Sequence, residues 1–220
     1  MKKTSEAYLL ELLNRYPLLE SSKDTIYAAA ESLIHMYQHK GKLLTCGNGG
    51  SAADALHIVG ELMKSFKQCR PIPKDLQNRL NKYENGYDLG SQLQMPLRSI
   101  ALVCECGLNT AFANDVNPDY VFAQQVLGYG NKGDILMAIS TSGNSKNVVN
   151  GAIVAKAMEL TVISLTGQNG GELKELSDIC ITVPEIETFK VQELHLPVYH
   201  ALCLTVENEM FKVGDKSWKQ

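Results

Sequence analysis

The chain has 220 residues, and its 21 Lys and Arg against 24 Asp and Glu give a formal net charge of -3, so no overall basic field draws nucleic acid to it. Hydrophobic residues make up 45% and charged residues 20%, as in a globular chain rather than a disordered or fibrous one. The length suits one α/β domain over 1–220, and the longest apolar runs fall far short of the ~20 residues of a membrane helix.

Residues 4–15 and 22–39 have apolar positions at helical spacing, with Pro17 between them. Together they make an N-terminal helical segment over 1–40, with His35 and His39 on its polar side. Met1-Lys2-Lys3 opens like a signal peptide, but Glu6, Glu11, Asn14 and Arg15 interrupt the apolar core such a peptide needs, so cytoplasmic residence is expected. From Gly41 the pattern changes to strand-length apolar runs at Lys42–Cys46, Ser99–Cys104, Asp134–Ile139, Leu160–Leu165 and Ile179–Val183, alternating with helical segments. Such alternation predicts a parallel sheet with ligand loops at the carboxyl ends of its strands. Four loops qualify: Gly47–Ser51, Asn114–Asn117, Ser140–Ser145 and Thr166–Gly171.

The stretch from Lys67 to Pro96, rich in prolines and charges with a short helical pattern at Leu76–Tyr83, reads as an excursion from the sheet. The last segment, Glu187–Phe211, is helical but carries Pro197, which predicts a kink or a broken first turn. Six cysteines (46, 69, 104, 106, 180, 203) are scattered, mostly in apolar surroundings, and do not read as a disulfide framework. The pair Cys104 and Cys106 lacks a second pair to complete a thiolate site and reads as a strand end.

Ser140-Thr-Ser-Gly-Asn-Ser145 lies between a strand and a helix, so its hydroxyls and backbone N–H groups gather where the helix dipole favours an anion. The same residues also suit an ordinary capped helix. The loop lacks the lysine of a nucleoside-triphosphate loop, and Gly47-Asn-Gly-Gly-Ser51 is not the dinucleotide fingerprint, so no nucleotide cofactor is expected. His57 and Glu61 stand one helical turn apart and can share a metal or a hydrogen bond. Gln192, His195 and His200 gather on the last helix, where Gln192 and His200 project from similar faces, while His195 suits either a third ligand or the helix surface.

Five segments in register carry a resemblance: Cys46–Glu61, Ala113–Asp115, Ser140–Ser145, Leu165–Gly171 and Val191–His195. Over about residues 4–212, with an insertion at 69–97, the chain resembles the SIS (sugar isomerase) domain family and, within it, the phosphoheptose isomerases. The resemblance implies a three-layer, flavodoxin-like, five-stranded parallel sheet with N-terminal helices that pack between the subunits of a homotetramer, and active sites at subunit interfaces. It implies a sugar-phosphate substrate, with sedoheptulose 7-phosphate and D-glycero-D-manno-heptose 7-phosphate interconverted through an enediol, and no nucleic-acid or membrane partner. By position, Asn48, Gly49, Gly50 and Ser51 would contact the sugar phosphate and Asn114 and Asp115 the sugar hydroxyls. Ser140, Thr141, Ser142 and Ser145 would hold the phosphate. His57, Glu61, Gln192 and His200 would bind one zinc ion per subunit, with Glu61 and His200 also the acid–base pair and Gln192 also near substrate.

The chain departs from the family pattern in the longer link between Glu61 and Asn114, in Glu187-Thr-Phe-Lys-Val before Gln192, and in Pro197. The insertion leaves open an isomerase of another phosphosugar. A non-catalytic sugar-phosphate-binding or adaptor protein of the same fold is the other alternative, against which stand Glu61 and His200, the residues such adaptors lose.

Overall fold

The computed structural model describes residues 1–211; the last nine residues of the expected 1–220 domain lie outside the described residues. Five strands, β1 (Leu43–Cys46), β2 (Ser99–Ala101), β3 (Ile135–Ile139), β4 (Thr161–Thr166) and β5 (Ile179–Thr182), form one sheet in the order β2-β1-β3-β4-β5. Every pairing is parallel. The pleat sorts successive side chains to opposite faces, and both faces are covered, so β3 has no exposed position.

On one face Leu43, Ile135, Met137 and Ile139 meet α1 (Lys3–Arg15), α2 (Lys23–Gln38), α3 (Gly50–Met63) and α10 (Thr188–Met210). On the other, Leu44, Cys46, Leu136 and Ala138 meet residues of α7 (Val121–Tyr129), α8 (Lys146–Ala157) and α9 (Gly171–Leu176). Each fully buried Leu, Ile or Val contributes roughly 1.5–3 kcal/mol of transfer free energy, which is why the sheet interior is almost wholly aliphatic. Among the described residues no helix is long and apolar enough to cross a membrane.

The excursion between β1 and β2 contains α4 (Lys74–Leu80), close to the expected helix, and α5 (Gly86–Gln92), which the sequence pattern did not announce. Its start is pinned by Glu207 of α10, a buried carboxylate that accepts from the backbone N–H groups of Phe66, Lys67 and Gln68 at 2.8–3.1 Å. Arg70, also buried, pairs with Glu207 at 2.7 Å and donates to the Leu62 carbonyl at the end of α3 at 2.7 Å. The guanidinium therefore caps α3 and balances the carboxylate at once.

Three local expectations need correction. β2 ends at Ala101, and Leu102–Cys104 turns through a 3-10 helix into α6 (Cys106–Asp115), leaving Cys104 and Cys106 exposed instead of packed at a strand end. Asn114 and Asp115 lie in the last turn of α6 and not in a loop. α10 runs unbroken through Pro197, whose ring removes the N–H that would reach Glu193; that residue is exposed, so water can satisfy its carbonyl.

Candidate active site

In this strand order the chain switches direction between β1 and β3, and the loops leaving those two strands flank the resulting crevice. These are Gly47–Ser51 and Ser140–Ser145, tied together by a reciprocal amide pair. Asn48 Nδ2 donates to Asn147 Oδ1 at 2.8 Å, and Asn147 Nδ2 donates to Asn48 Oδ1 at 3.0 Å. Ser145 occupies the N-cap position of α8, yet its hydroxyl makes no capping bond and lies 3.0 Å from Ser140 Oγ. The hydroxyls thus face each other across the loop instead of being spent on the helix end.

The backbone sets the shape of this cradle. Gly143 has φ +71°, and a Cβ there would fall 1.9 Å from the Gly170 carbonyl oxygen, so only glycine lets the Ser140–Ser145 loop close on the loop before α9. Gly167 N donates to Thr141 O at 2.9 Å, Leu173 N to Gly143 O at 3.1 Å, and Glu172 N to Asn144 Oδ1 at 2.8 Å. Asn144 N in turn donates to Ser142 Oγ at 3.2 Å.

The second half of the site is made by side chains of α3 and α10. His57 and Glu61 share a face of α3 as their spacing requires, with His57 Nε2 3.3 Å from Glu61 Oε1. Across from them His200 Nε2 lies 3.4 Å from His57 Nε2, although the two residues are 143 positions apart in the chain. Glu61 Oε2 receives Lys64 Nζ at 2.8 Å. Burial, and then the neighbouring His57, lower the pKa of His200 against an opposing pull from Glu61, which favours its neutral imidazole. Burial raises Asp54, opposed by the Tyr199 hydrogen bond and by His57. Phe66, just before the excursion, stands edge-on to His200 at 5.5 Å. A cleft between α1 and α10 has His200, Tyr8, Arg15 and Glu193 in its wall.

Gln192 meets the first of the two loops. It lies directly over Gly50, where a Cβ would meet Gln192 Nε2 at 2.4 Å, so the bare glycine leaves room for the amide over the first turn of α3. Gly49 and Asn48 are exposed beside it and Ser51 is buried. Asn114 and Asp115 are exposed and hydrogen-bond to each other, Asn114 Nδ2 donating to Asp115 Oδ1 at 2.8 Å; no contact brings them into the cluster. His195 is neither a surface residue nor a ligand partner of His57. It is wholly buried, and burial pushes its pKa down to about 4. The ring faces the Thr166 backbone without a well-formed hydrogen bond from either nitrogen.

Sequence reasoning missed Asp54, Lys64, Asn147 and Tyr199. Asp54 and Lys64 sit three residues from His57 and Glu61 respectively, a spacing that places them on the same helix face. Nothing local signals Asn147 or Tyr199, whose partners lie on distant elements.

The donors that meet at the cluster, two imidazoles and a carboxylate, are zinc-ligand types, whereas the Gln192 amide lies over Gly50 and no contact brings it to them. Bonds of about 2.0–2.1 Å give a tetrahedron with edges of about 3.3–3.4 Å, and the His57–Glu61 and His57–His200 separations of 3.3 and 3.4 Å match two such edges. Among the described residues no group of three or more His, Cys, Asp or Glu is gathered tightly enough to hold a metal. The donors therefore meet in pairs, and their types and spacings fit a cation that would draw them together.

Comparison with known proteins agrees with this architecture. The SIS domain family matches residues 7–82 and 91–167, leaving only a few residues of the excursion unmatched between the two blocks. The phosphoheptose isomerase of Shewanella halifaxensis is 34% identical over 99% of this chain and 100% of its own length. That of Thiobacillus denitrificans is 40% identical over 86% of each chain. Among solved structures, the phosphoheptose isomerase of Neisseria gonorrhoeae superposes with a TM-score of 0.71 at 32% identity, covering 92% of this chain and 96% of that one.

Proposed function

This chain belongs to the SIS domain family, and we propose that it is an aldose–ketose isomerase that interconverts sedoheptulose 7-phosphate and D-glycero-D-manno-heptose 7-phosphate through an enediol. The observation that carries this reading is the meeting of Glu61 with His200 across His57, on the two helices whose first turns lie beside the Gly47–Ser51 loop. The names of the relatives and of the solved structure support the same substrate class.

Converting a 2-ketose to an aldose requires removal of a proton from C1, a stabilised enediol, and return of a proton at C2. In our reading Glu61 takes the proton at C1 and returns it at C2, while neutral His200 moves the hydroxyl proton between O1 and O2. Ser140, Thr141, Ser142 and Ser145 hold the phosphate with the first turn of α8, and Asn48, Gly49, Gly50 and Ser51 close on it from β1. Asn114 and Asp115 take sugar hydroxyls. Hydrogen moves within one molecule, so the reaction needs no nucleotide oxidant. His57, Glu61, Gln192 and His200 would hold one zinc ion per subunit, and when bound it supplies positive charge beside the sugar carbonyl.

The same proposal includes a single domain over 1–220 with 69–97 as an insertion, a homotetramer with α1 and α2 between subunits, and cytoplasmic residence. Leu10 and Leu18 near the N-terminus, Leu56 and Met63 on α3 and Leu196 on α10 are exposed large apolar residues, which supports burial against further copies. All six cysteines are free, which suits a reducing compartment. A different phosphosugar is the second reading, since Phe66, three residues before the insertion, touches His200 and so leads the chain into the insertion from beside the reacting end.

The test is to incubate the protein with sedoheptulose 7-phosphate, with and without zinc, beside a Glu61→Gln control. Aldoheptose 7-phosphate formed only by the wild type supports reaction, substrate and base together. Turnover of a shorter phosphosugar alone would replace the substrate, and phosphosugar binding without turnover would favour the non-catalytic reading.

A further inference from the structure

We infer that Tyr199, anchored by Asp54, is a positioning residue that holds His57 as its Nδ1–H tautomer and turns an unprotonated Nε2 toward Glu61 and His200. The catalytic consequence rests on the isomerase reading above, whereas the tautomer does not.

Tyr199 is buried, and its hydroxyl lies 3.2 Å from Asp54 Oδ1 and 3.0 Å from His57 Nδ1. A carboxylate only accepts, and a phenol has one proton, so the hydroxyl donates to Asp54. Its oxygen is then left to accept, and the group that donates to it is the N–H at His57 Nδ1. Asp54 Oδ2 is buried without a hydrogen bond, which leaves Tyr199 as the partner that offsets the buried carboxylate. A phenylalanine would fill the same space; the hydroxyl is useful here only for the two polar contacts.

Two consequences follow from the proton count. With Nδ1 protonated and Nε2 bare, the 3.3 Å contact with Glu61 Oε1 holds no hydrogen bond and sets two acceptors to face a shared cation, while His200 Nε2 lies 3.4 Å away. His200 then supplies the hydrogen in the His57–His200 contact from its own Nε2, so the mobile proton of the pair resides on His200. The three rings also hold one another edge-on, with centroids 5.5 Å apart for His57 and Tyr199, 5.1 Å for Tyr199 and His200, and 4.8 Å for His57 and His200. Rotation of the imidazole about its own axis is therefore resisted by packing as well as by the hydroxyl.

The experiment is nitrogen-15 NMR of the imidazoles in chelator-treated protein, for the wild type, Tyr199→Phe and Asp54→Asn, with steady-state kinetics on the same samples. In the wild type His57 should show the Nδ1–H pattern. Tyr199→Phe should lose that preference. Asp54→Asn, whose amide can donate to the phenol and free it to donate to Nδ1, should shift His57 toward Nε2–H. Turnover should fall about 10- to 100-fold with KM little changed, the size seen when a histidine ligand loses its orienting partner. A wild-type His57 protonated at Nε2, or a tautomer unaltered in both variants, overturns the inference. Should Tyr199→Phe fail to fold, Asp54→Asn reads the same chain of contacts from its other end. Absence of heptose-phosphate turnover in the wild type would count against the isomerase reading and leave the tautomer measurement standing.

Discussion

The two halves of the site are built by different means. In the cradle between β1 and β3 the positions are set by backbone: Gly143 wedges against Gly170, and the Ser140–Ser145 loop is held through the peptide groups of Thr141, Gly143 and Glu172. In the cluster between α3 and α10 the positions are set by side chains, with His57, Glu61, Asp54, Tyr199 and His200 meeting across two helices. A backbone-built site tolerates loss of a side chain and not the gain of one. A side-chain-built site loses its chemistry when one functional group changes and keeps its fold.

The sharpest contrast comes from the cluster. Glu61→Gln should lower turnover by about 10²–10⁴-fold, the share typical of a general acid–base group, with an unchanged thermal midpoint. A variant with full activity would remove Glu61 from the chemistry. Next in size is Glu207, near the end of α10, the helix that carries His200. Glu207→Gln leaves the buried Arg70 guanidinium without its counter-charge and should destabilise the protein by about 3 kcal/mol in urea denaturation, since breaking a buried pair from one side is costly. A cost under about 1 kcal/mol would mean that the excursion is held by other contacts.

The cradle should answer in the opposite sense. Gly143→Ala places a methyl against a carbonyl at positive φ and should cost about 2–4 kcal/mol, combining overpacking with the left-handed penalty; denaturation and phosphosugar KM are read together. The smallest effect is expected from Ser142→Ala with Ser145→Ala, which removes two hydroxyls and, of the backbone contacts, only the exposed one from Asn144 N to Ser142 Oγ. KM for the phosphosugar should rise about tenfold with stability within about 0.5 kcal/mol, in line with neutral hydrogen bonds of about 1 kcal/mol each. An unchanged KM would move the phosphate elsewhere, and a large stability loss would end the distinction between the two halves.

Much of the fold was readable in order along the chain, because a parallel sheet covered on both faces needs strand-length apolar runs alternating with helical periods, and both are local patterns. The expected strands at 42–46, 134–139, 160–165 and 179–183 agree with the observed ones to within a residue at each end, whereas β2 was read three residues too long. Val103 and Cys104 are apolar enough for a strand, but the chain there has already turned toward α6. The pairing of His57 with Glu61 was also local, one turn of one helix, and the geometry realises it.

The sequence by itself determined the fold class, the residue types of the cradle and the one-turn pair on α3, since each depends on neighbours within about five positions. Only the tertiary structure decided that His195 is buried while His200 faces His57, that Gln192 lies on Gly50, that Asn147 closes on Asn48, and that Tyr199 joins Asp54 to His57. Those outcomes hang on where α10 crosses α3 and where β3 lies beside β1. Such placements are fixed by packing between segments 90 to 150 residues apart, which no local period encodes.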